Sequence, residues 1–344
     1  MAKDTTLFKQ GTDMHTTNTR RAWLKTALAT TVLGLASAGA AAQDWPSKPV
    51  RIVLAIGPGS SGDTLARLIA PRLEQRWKQP VIVENKPGAS GAVGTEYVVR
   101  TTDGHTLLLG SQSSILPKYT QKGLRFDPLT DLVPVRKMLN YQLVIATNGD
   151  TARQAPTLKD LVMLSKKDDK GIFLAGLGPT SAFNLTYAIL NQQLGMQYSA
   201  VNFSNVSDAN LSLVRNDAQF IVNNPASVKP FFANGAIVPL AAISTQRYPG
   251  FPEVPTLQEA VGYRGYLPQL WIGFFLPKGT PDAVIRRVNA DLQAIFEDEA
   301  FRKEVEGKLT ASVPASSPEA FAKDIREETT LWQELFKTLN IRPE

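Results

Sequence analysis

The chain contains no cysteine. Disulfides, thiolate nucleophiles and thiolate-held metals are thereby excluded, and no thiol is left to carry a lipid anchor. Histidine is nearly absent as well: there are two, and His15 lies so near the start that His105 is the one imidazole of the remaining chain. A lone imidazole in an Asp-Gly-His turn, with no carboxylate cluster around it, cannot supply a metal ligand set, so a structural role is expected for it. The signatures H-E-x-x-H, G-x-x-x-x-G-K-[ST] and G-x-S-x-G are missing. No metal, no cofactor and no catalytic residue is therefore expected. Charge is sparse too, at +6 for 344 residues. Half of it sits in the first 42 residues, where Lys3, Lys9, Arg20, Arg21 and Lys25 face only Asp4 and Asp13. The rest carries +3, with no basic run and no interleaving of aromatic and basic residues, which argues against a nucleic-acid partner.

What is present begins with a targeting segment. Arg20-Arg21-Ala22-Trp23-Leu24-Lys25 precedes a weakly apolar run, Thr26 to Ala42, that ends in Ala40-Ala41-Ala42. This pattern is an export leader over residues 1–42, cleaved near Ala42. The paired arginines fit the twin-arginine pattern, with a Sec leader as the alternative, and Met14 is an alternative start to Met1. The run is too weakly apolar for a membrane span, and no second long run follows. The mature chain is expected in the periplasm.

The most informative stretch is Val50 to Leu73. A β-branched run reaches Ile56, Thr64 to Leu73 has helical spacing, and Gly57-Pro58-Gly59-Ser60-Ser61-Gly62 joins them. A helix start carries unpaired N–H groups and partial positive charge, so this turn can seat an anion. The other reading is a plain tight βα turn. From here strand-like and helix-like patterns alternate, which predicts an α/β fold of βαβ units with mostly parallel sheets. Gly88-x-x-Gly91-x-x-Gly94 lacks the Rossmann spacing and is read as loop and helix-start geometry. Ser111-Gln112-Ser113-Ser114 follows another strand end, where ligands sit in open α/β sheets. Gly176 to Ser181, leading into a helix over Ala182 to Leu194, is the counterpart of the first turn. The spacing predicts strands over Tyr141 to Ala146 and Trp271 to Leu276, the latter returning to the first domain. Beyond Thr280 a helical segment is expected, with apolar residues in the core and its charged residues on a solvated face.

Several blocks carry a family resemblance. Gln79-Pro80-Val81-Ile82-Val83-Glu84-Asn85-Lys86-Pro87-Gly88 and Asp103-Gly104-His105-Thr106-Leu107-Leu108-Leu109-Gly110 are two of them. Phe126-Asp127-Pro128, Pro252-Glu253-Val254-Pro255-Thr256-Leu257 and Trp271-Ile272-Gly273-Phe274-Phe275-Leu276-Pro277-Lys278-Gly279-Thr280-Pro281 follow in order. From about Trp45 to the C-terminus the chain resembles the Bug-type (TctC-like) substrate-binding proteins of tripartite tricarboxylate transporters. The resemblance implies a two-domain periplasmic-binding-protein fold of type II-like organisation, with the ligand in the interdomain cleft. Residues 44–147 and 270–344 would form the first domain and 148–269 the second. It further implies a receptor, not an enzyme, that binds a small organic acid, passes it to the membrane components of such a transporter and works as a monomer. An exported enzyme acting on a small acid and an orphan receptor feeding a sensor kinase are the alternatives.

The resemblance places ligand contacts on Gly59, Ser60, Ser61 and Asp63, on Ser111, Gln112 and Ser113, on Gly178, Pro179, Thr180 and Ser181, and on Phe203, Ser204 and Asn205. By residue type, Asp63 is better read as a helix-start residue, helped by Arg67 one turn on. Discrimination among acids would fall to Gln112, Phe183, Phe203 and Asn223. The pocket loops depart from the family pattern, as in Gly57-Pro58-Gly59-Ser60 where relatives often read P-P-G-G, so the ligand class stays open between dicarboxylates, aromatic acids and similar metabolites.

Overall fold

Strand β1 (Val50–Leu54) is apolar apart from Arg51, and its other four residues are buried, as a strand covered on both faces requires. Helix α1 (Ser61–Trp77) turns Leu65, Ala66, Ile69, Leu73 and Trp77 inward. Lys78, in left-handed geometry, then ends it with its N–H on Glu74 O. The computed structural model describes residues 45–338 apart from 168, 170, 179, 180 and 204. The expected export leader lies outside these residues. Lys48–Glu344 form one compact unit.

Within that unit the chain builds two sheets. It lays down β2 (Val81–Asn85), α2 (Ala92–Val99), β3 (Thr106–Ser111) and β4 (Leu132–Tyr141). It then leaves for the second sheet. There it makes β5 (Val144–Asn148), α3 (Leu158–Ser165), β6 (Ile172–Gly176), α4 (Ala182–Leu194), β7 (Tyr198–Asn202), α5 (Val206–Val214), β8 (Phe220–Asn223) and β9 (Ile237–Ala242). It returns as β10 (Trp271–Pro277), followed by α6 (Asp282–Ile295), α7 (Glu299–Leu309), β11 (Ala311–Ser312) and α8 (Pro318–Thr338). The strand orders are β11-β4-β10-β3-β1-β2 and β7-β6-β8-β5-β9.

Most strands of each sheet run in one direction, as expected, and both sheets are mixed. β1, β2 and β3 are parallel, as are β6, β7 and β8. β10 runs antiparallel to β3 and β4, β11 is antiparallel to β4, and β5 is antiparallel to β8 and β9. The cause is the path of the chain. β5 and β10 each begin where the chain has just crossed from the other sheet, at the same end where β1, β3 and β8 finish, so each must run away from that end. The expected single strand Tyr141 to Ala146 is accordingly two strands, one ending and one starting, with Gln142 and Leu143 between them.

Alternation along the strands divides the second sheet's side chains between two cores. Ile145, Leu174, Phe220 and Val222 face Leu161, Tyr187 and Leu190, while Val144, Ala146, Ala175 and Ile221 face Ala209, Leu213 and Phe251. A third core lies on the first sheet, where Val53, Leu108, Trp271 and Phe275 meet Phe321, Ile325 and Trp332 of α8. Leu185 and Ile189 of α4 are part of this third core. Helix α4 therefore has one flank in each sheet's packing.

Two charged residues expected on a solvated face are instead buried. Asp291 of α6 accepts from the Trp77 indole at 2.8 Å and pairs with Arg76 and Arg287. Glu328 falls between Ile325 and Trp332 on the inward stripe of α8, and only 4% of it is exposed. Helical spacing, not charge, decided their placement.

Candidate ligand-binding cleft

The strand ends and helix starts of the two sheets converge on one cavity of about 830 Å³. It is lined by Ser60, Ser61 and Gly62 from the start of α1, by Ser111, Gln112 and Ser113 after β3, and by Ser181 at the start of α4. Ser60 caps α1 by accepting from Asp63 N at 3.2 Å. Gly62 lies against the strand end: a Cβ there would come within 2.8 Å of Ile56 Cδ1, a side-chain end that would have to shift. The first-turn N–H groups of Ser61 and Gly62 precede the onset of intrahelical hydrogen bonding, so they can donate to a guest. Ser111 and Ser113 share a hydrogen bond of 2.9 Å between their hydroxyls. Gly91, at φ +98°, lets its loop approach this segment, since a Cβ would stand 2.7 Å from Ser113 O.

The second helix start is arranged similarly. Ser181 Oγ accepts from Asn184 N at 3.2 Å and donates to Asn184 Oδ1 at 3.1 Å. Leu177 N also donates to Asn184 Oδ1, at 3.1 Å, and Asn184 Nδ2 reaches Asn202 Oδ1 at 3.3 Å. Gly178 N donates to the same Asn202 oxygen at 3.0 Å.

Seven of the residues expected from the sequence line the cavity: Ser60, Ser61, Ser111, Gln112, Ser113, Ser181 and Asn223. Phe183 lines it as well. Gly59, Asp63, Gly178, Phe203 and Asn205 are not in the lining. Asp63 is turned into its own turn, where it accepts from Gly59 N and Arg67 Nε, each at 3.0 Å. The Arg67 bond, more than any other contact, holds its carboxyl below the usual range. The Gly59 N–H is thus committed to Asp63. Asn205 caps α5 by accepting from Asp208 N at 2.9 Å. Phe203 packs against the second sheet's core. Pro179, Thr180 and Ser204 lie outside the described residues. Gln112 lines the cavity but spends its carboxamide on the wall. Its Nε2 donates to Gln269 O at 2.8 Å and Glu328 Oε1 at 3.1 Å, and its Oε1 accepts from Trp271 N at 3.3 Å. Asn223 is likewise engaged, with Asn210 Oδ1 and Asn224 N.

Sequence reasoning missed other parts of the lining. Tyr141, the last residue of β4, puts its phenol in hydrogen-bonding contact with Ser61, and burial pushes that phenol up to about 12, so it stays protonated. Trp271, Ile272, Leu143, Leu177 and Leu270 give the cavity an apolar side. Lys308 is the one charged side chain among the described lining residues, and it pairs with Glu304 at 3.3 Å. The sequence signal for Tyr141 and Trp271 was their position at the two chain crossings. Outside the cavity, His105 sits in its turn with Nδ1 2.9 Å from Asp103 O. Among the described residues no group of three or more His, Asp or Glu could hold a metal ion. No helix among them is long and apolar enough to cross a membrane. Hydroxyls, helix-start N–H groups and a neutral phenol, opposed by apolar walls, can bind and orient an acid reversibly.

A UPF0065 protein of Bordetella bronchiseptica is 31% identical over 318 residues, covering 92% of this chain and 93% of its own length. BugT of Bordetella pertussis is 29% identical over 278 residues, covering 78% of this chain and 84% of its own. The solved structure of the periplasmic binding protein BugD superposes with a TM-score of 0.71 at 28% identity, covering 87% of this chain and all of that one. The family profile described as "Tripartite tricarboxylate transporter family receptor" matches residues 65–341. The chain belongs to that family of solute-binding receptors, the TctC or Bug type.

Proposed function

We propose that this chain is a periplasmic receptor that captures a small carboxylate between its two sheets and presents it to the membrane components of a tripartite tricarboxylate-type transporter. One observation carries the ligand class. The cavity of about 830 Å³ is faced by two serine-capped helix starts, and no anionic side chain is among its described lining residues. A helix start carries about half a unit of positive charge, so two of them with serine hydroxyls make a seat for a carboxylate without an arginine. Ser60, Ser61, Ser111, Ser113 and Ser181, with the Tyr141 phenol, are the donors that would hold it. Phe183, Leu143, Leu270 and Trp271 would enclose a hydrocarbon or aromatic body. The likeness to BugD, a periplasmic binding protein, supports the location. An export leader over 1–42 would deliver the chain there.

Residues 44–147 with 270–344 would move as one domain and 148–269 as the other. The crossings at Gln142–Leu143 and just before Trp271 would serve as hinges, which suits a monomer that closes on its ligand. A thermal-shift screen over aliphatic dicarboxylates, aromatic acids and acidic amino acids tests the reading. At ~100 times its dissociation constant an acid should stabilise the protein by roughly 2.7 kcal/mol. A screen in which only uncharged analogues score would overturn it.

A further inference from the structure

Behind the cavity wall stands a carboxyl group that ligand capture, as described so far, does not use. Glu328 sits on α8 among Trp271, Phe275 and Phe321, whose rings pack edge to face or tilted at centroid distances of 5.0 to 6.0 Å. Its two oxygens are met by the two wall side chains. Gln112 Nε2 reaches Oε1 at 3.1 Å, and Trp271 Nε1 reaches Oε2 at 2.6 Å. Both Gln112 and Trp271 line the cavity, so one side chain's thickness separates Glu328 from the guest.

The charged and titratable groups around it do not neutralise it. From β4, Lys137 is the nearest cation to favour the charged form, but its ammonium is paired with Asp324 on α8 itself. Arg136 of the same strand is directed to Asn289 and Ser316 O, and Tyr141 to Ser61. From α4, the Tyr187 hydroxyl points to Asn191 and Met196. Tyr266 feels Glu328, Asp324 and Glu327 together, and their charges add to burial in raising its phenol. β10 contributes only the Trp271 indole. Asp324 is paired with Lys137 and Glu327 with Lys323, so among these acids of the described residues Glu328 is the one with no ion-pair partner.

We propose that Glu328 is a positioning residue that couples anion capture to protonation, taking up one proton from solvent as a carboxylate enters the cleft. This rests on the reading of the cleft as a carboxylate site. A carboxylate in the cavity and an ionised Glu328 are like charges across a dry wall, and each raises the cost of the other. Linkage then requires that binding the acid increase the proton affinity of Glu328 and that protonation increase the affinity for the acid. The wall accepts the proton without losing its anchors. Both partners are donors that favour the ionised form, so protonation has a cost at Oε1, but Gln112 Nε2 keeps Gln269 O at 2.8 Å and Trp271 Nε1 keeps Oε2. Burial, the dominant influence, brings this carboxyl up to about 7, so the exchange falls in the physiological range.

The test uses the mature receptor with benzoate, aspartate and succinate, each titrated calorimetrically between about pH 6.5 and 8 in buffers of different ionisation enthalpy. The expected result for an acid that binds is net proton uptake and severalfold tighter binding at the acid end. In Glu328→Gln, binding persists while the pH dependence and the buffer dependence both vanish. Should that variant fold poorly, infrared difference spectra of protein labelled with ¹³C-glutamate give the same answer in the unmutated chain. An isotope-shifted protonated-carboxyl band should appear on adding the acid. An acid that binds without proton uptake, uptake that persists in folded Glu328→Gln, or no such band would overturn the coupling alone. If no acid binds at any pH, the carboxylate reading falls and the coupling with it.

Discussion

The starts of α1 and α4 solve one problem with different chemistry. In both, a serine caps the helix, and the residue three positions on reaches back to hold an N–H of the preceding loop. At α1 that residue is Asp63, whose carboxylate takes Gly59 N and is balanced by Arg67. At α4 it is Asn184, which takes Leu177 N and leans on Asn202. Each loop is thereby shaped before any guest arrives, which lowers the ordering cost of binding. The first is held by a charge pair whose cation is half exposed, and the second by a neutral web of amides in which Asn184 is buried and Asn202 exposed. Gly176 belongs to the second arrangement, because a Cβ there would lie 2.6 Å from both Asn184 Nδ2 and Asn202 Oδ1. A charge pair makes a turn sensitive to acid and salt, whereas an amide web makes it sensitive to every atom's position.

The largest effect should therefore come from the neutral side. Asn184→Leu strands the half-buried Leu177 N, while Asn202 Oδ1 keeps Gly178 N, and a loss of about 1–3 kcal/mol is expected in urea unfolding. Next come the caps. Ser60→Ala and Ser181→Ala should each cost about 1 kcal/mol, and the double variant their sum, because the two starts share no partner. A clear departure from additivity would mean that the two turns are not independent.

Asp63→Asn should cost least at neutral pH, about 0.5 kcal/mol, because Arg67 is 56% exposed and water screens the pair. Its signature is the pH profile. The folded chain holds Asp63 below its ordinary value of 3.8, so the carboxylate's contribution is complete above that value and declines as pH falls through the lower folded one. Wild type and variant should therefore converge in acid, while Ser181→Ala keeps a constant offset from wild type. A cost for Asp63→Asn larger than that for Asn184→Leu would reverse the comparison.

Local chemistry was legible in the sequence, and facing was not. The helix Ala182–Leu194 was readable to the residue, because its serine cap and closing Gly195 are both local signals. The strand β4 was not, since Pro134, Arg136, Lys137 and Asn140 break any alternation, and it pairs with β10 through two register shifts. In the cleft, Ser60, Ser61, Ser111 and Ser181 could be found because a strand end or helix start fixes where they project. Gly178, Phe203 and Asn205 also belong to turns at strand ends, but which side of a turn looks into the cleft depends on how the other sheet is placed. Glu328 escaped for a different reason. A charged residue defaults to solvent in any sequence reading, although its position seven residues after Phe321 and four before Trp332 put it on the inward stripe.

Helix α4 carries one further consequence, in time. Its first turn faces the cleft, yet Leu185 and Ile189 on its flank are buried in the core of the opposite sheet. Any motion that parts the two sheets on this side must first bare those side chains, at about 1.5–3 kcal/mol each. With each 1.4 kcal/mol worth a factor of ten, a trapped acid would escape about a hundredfold or more slowly than from a cleft without this seam. Under the proposed closure, a captured acid would leave on a slow clock, and a partner that wedged this seam apart would speed its release.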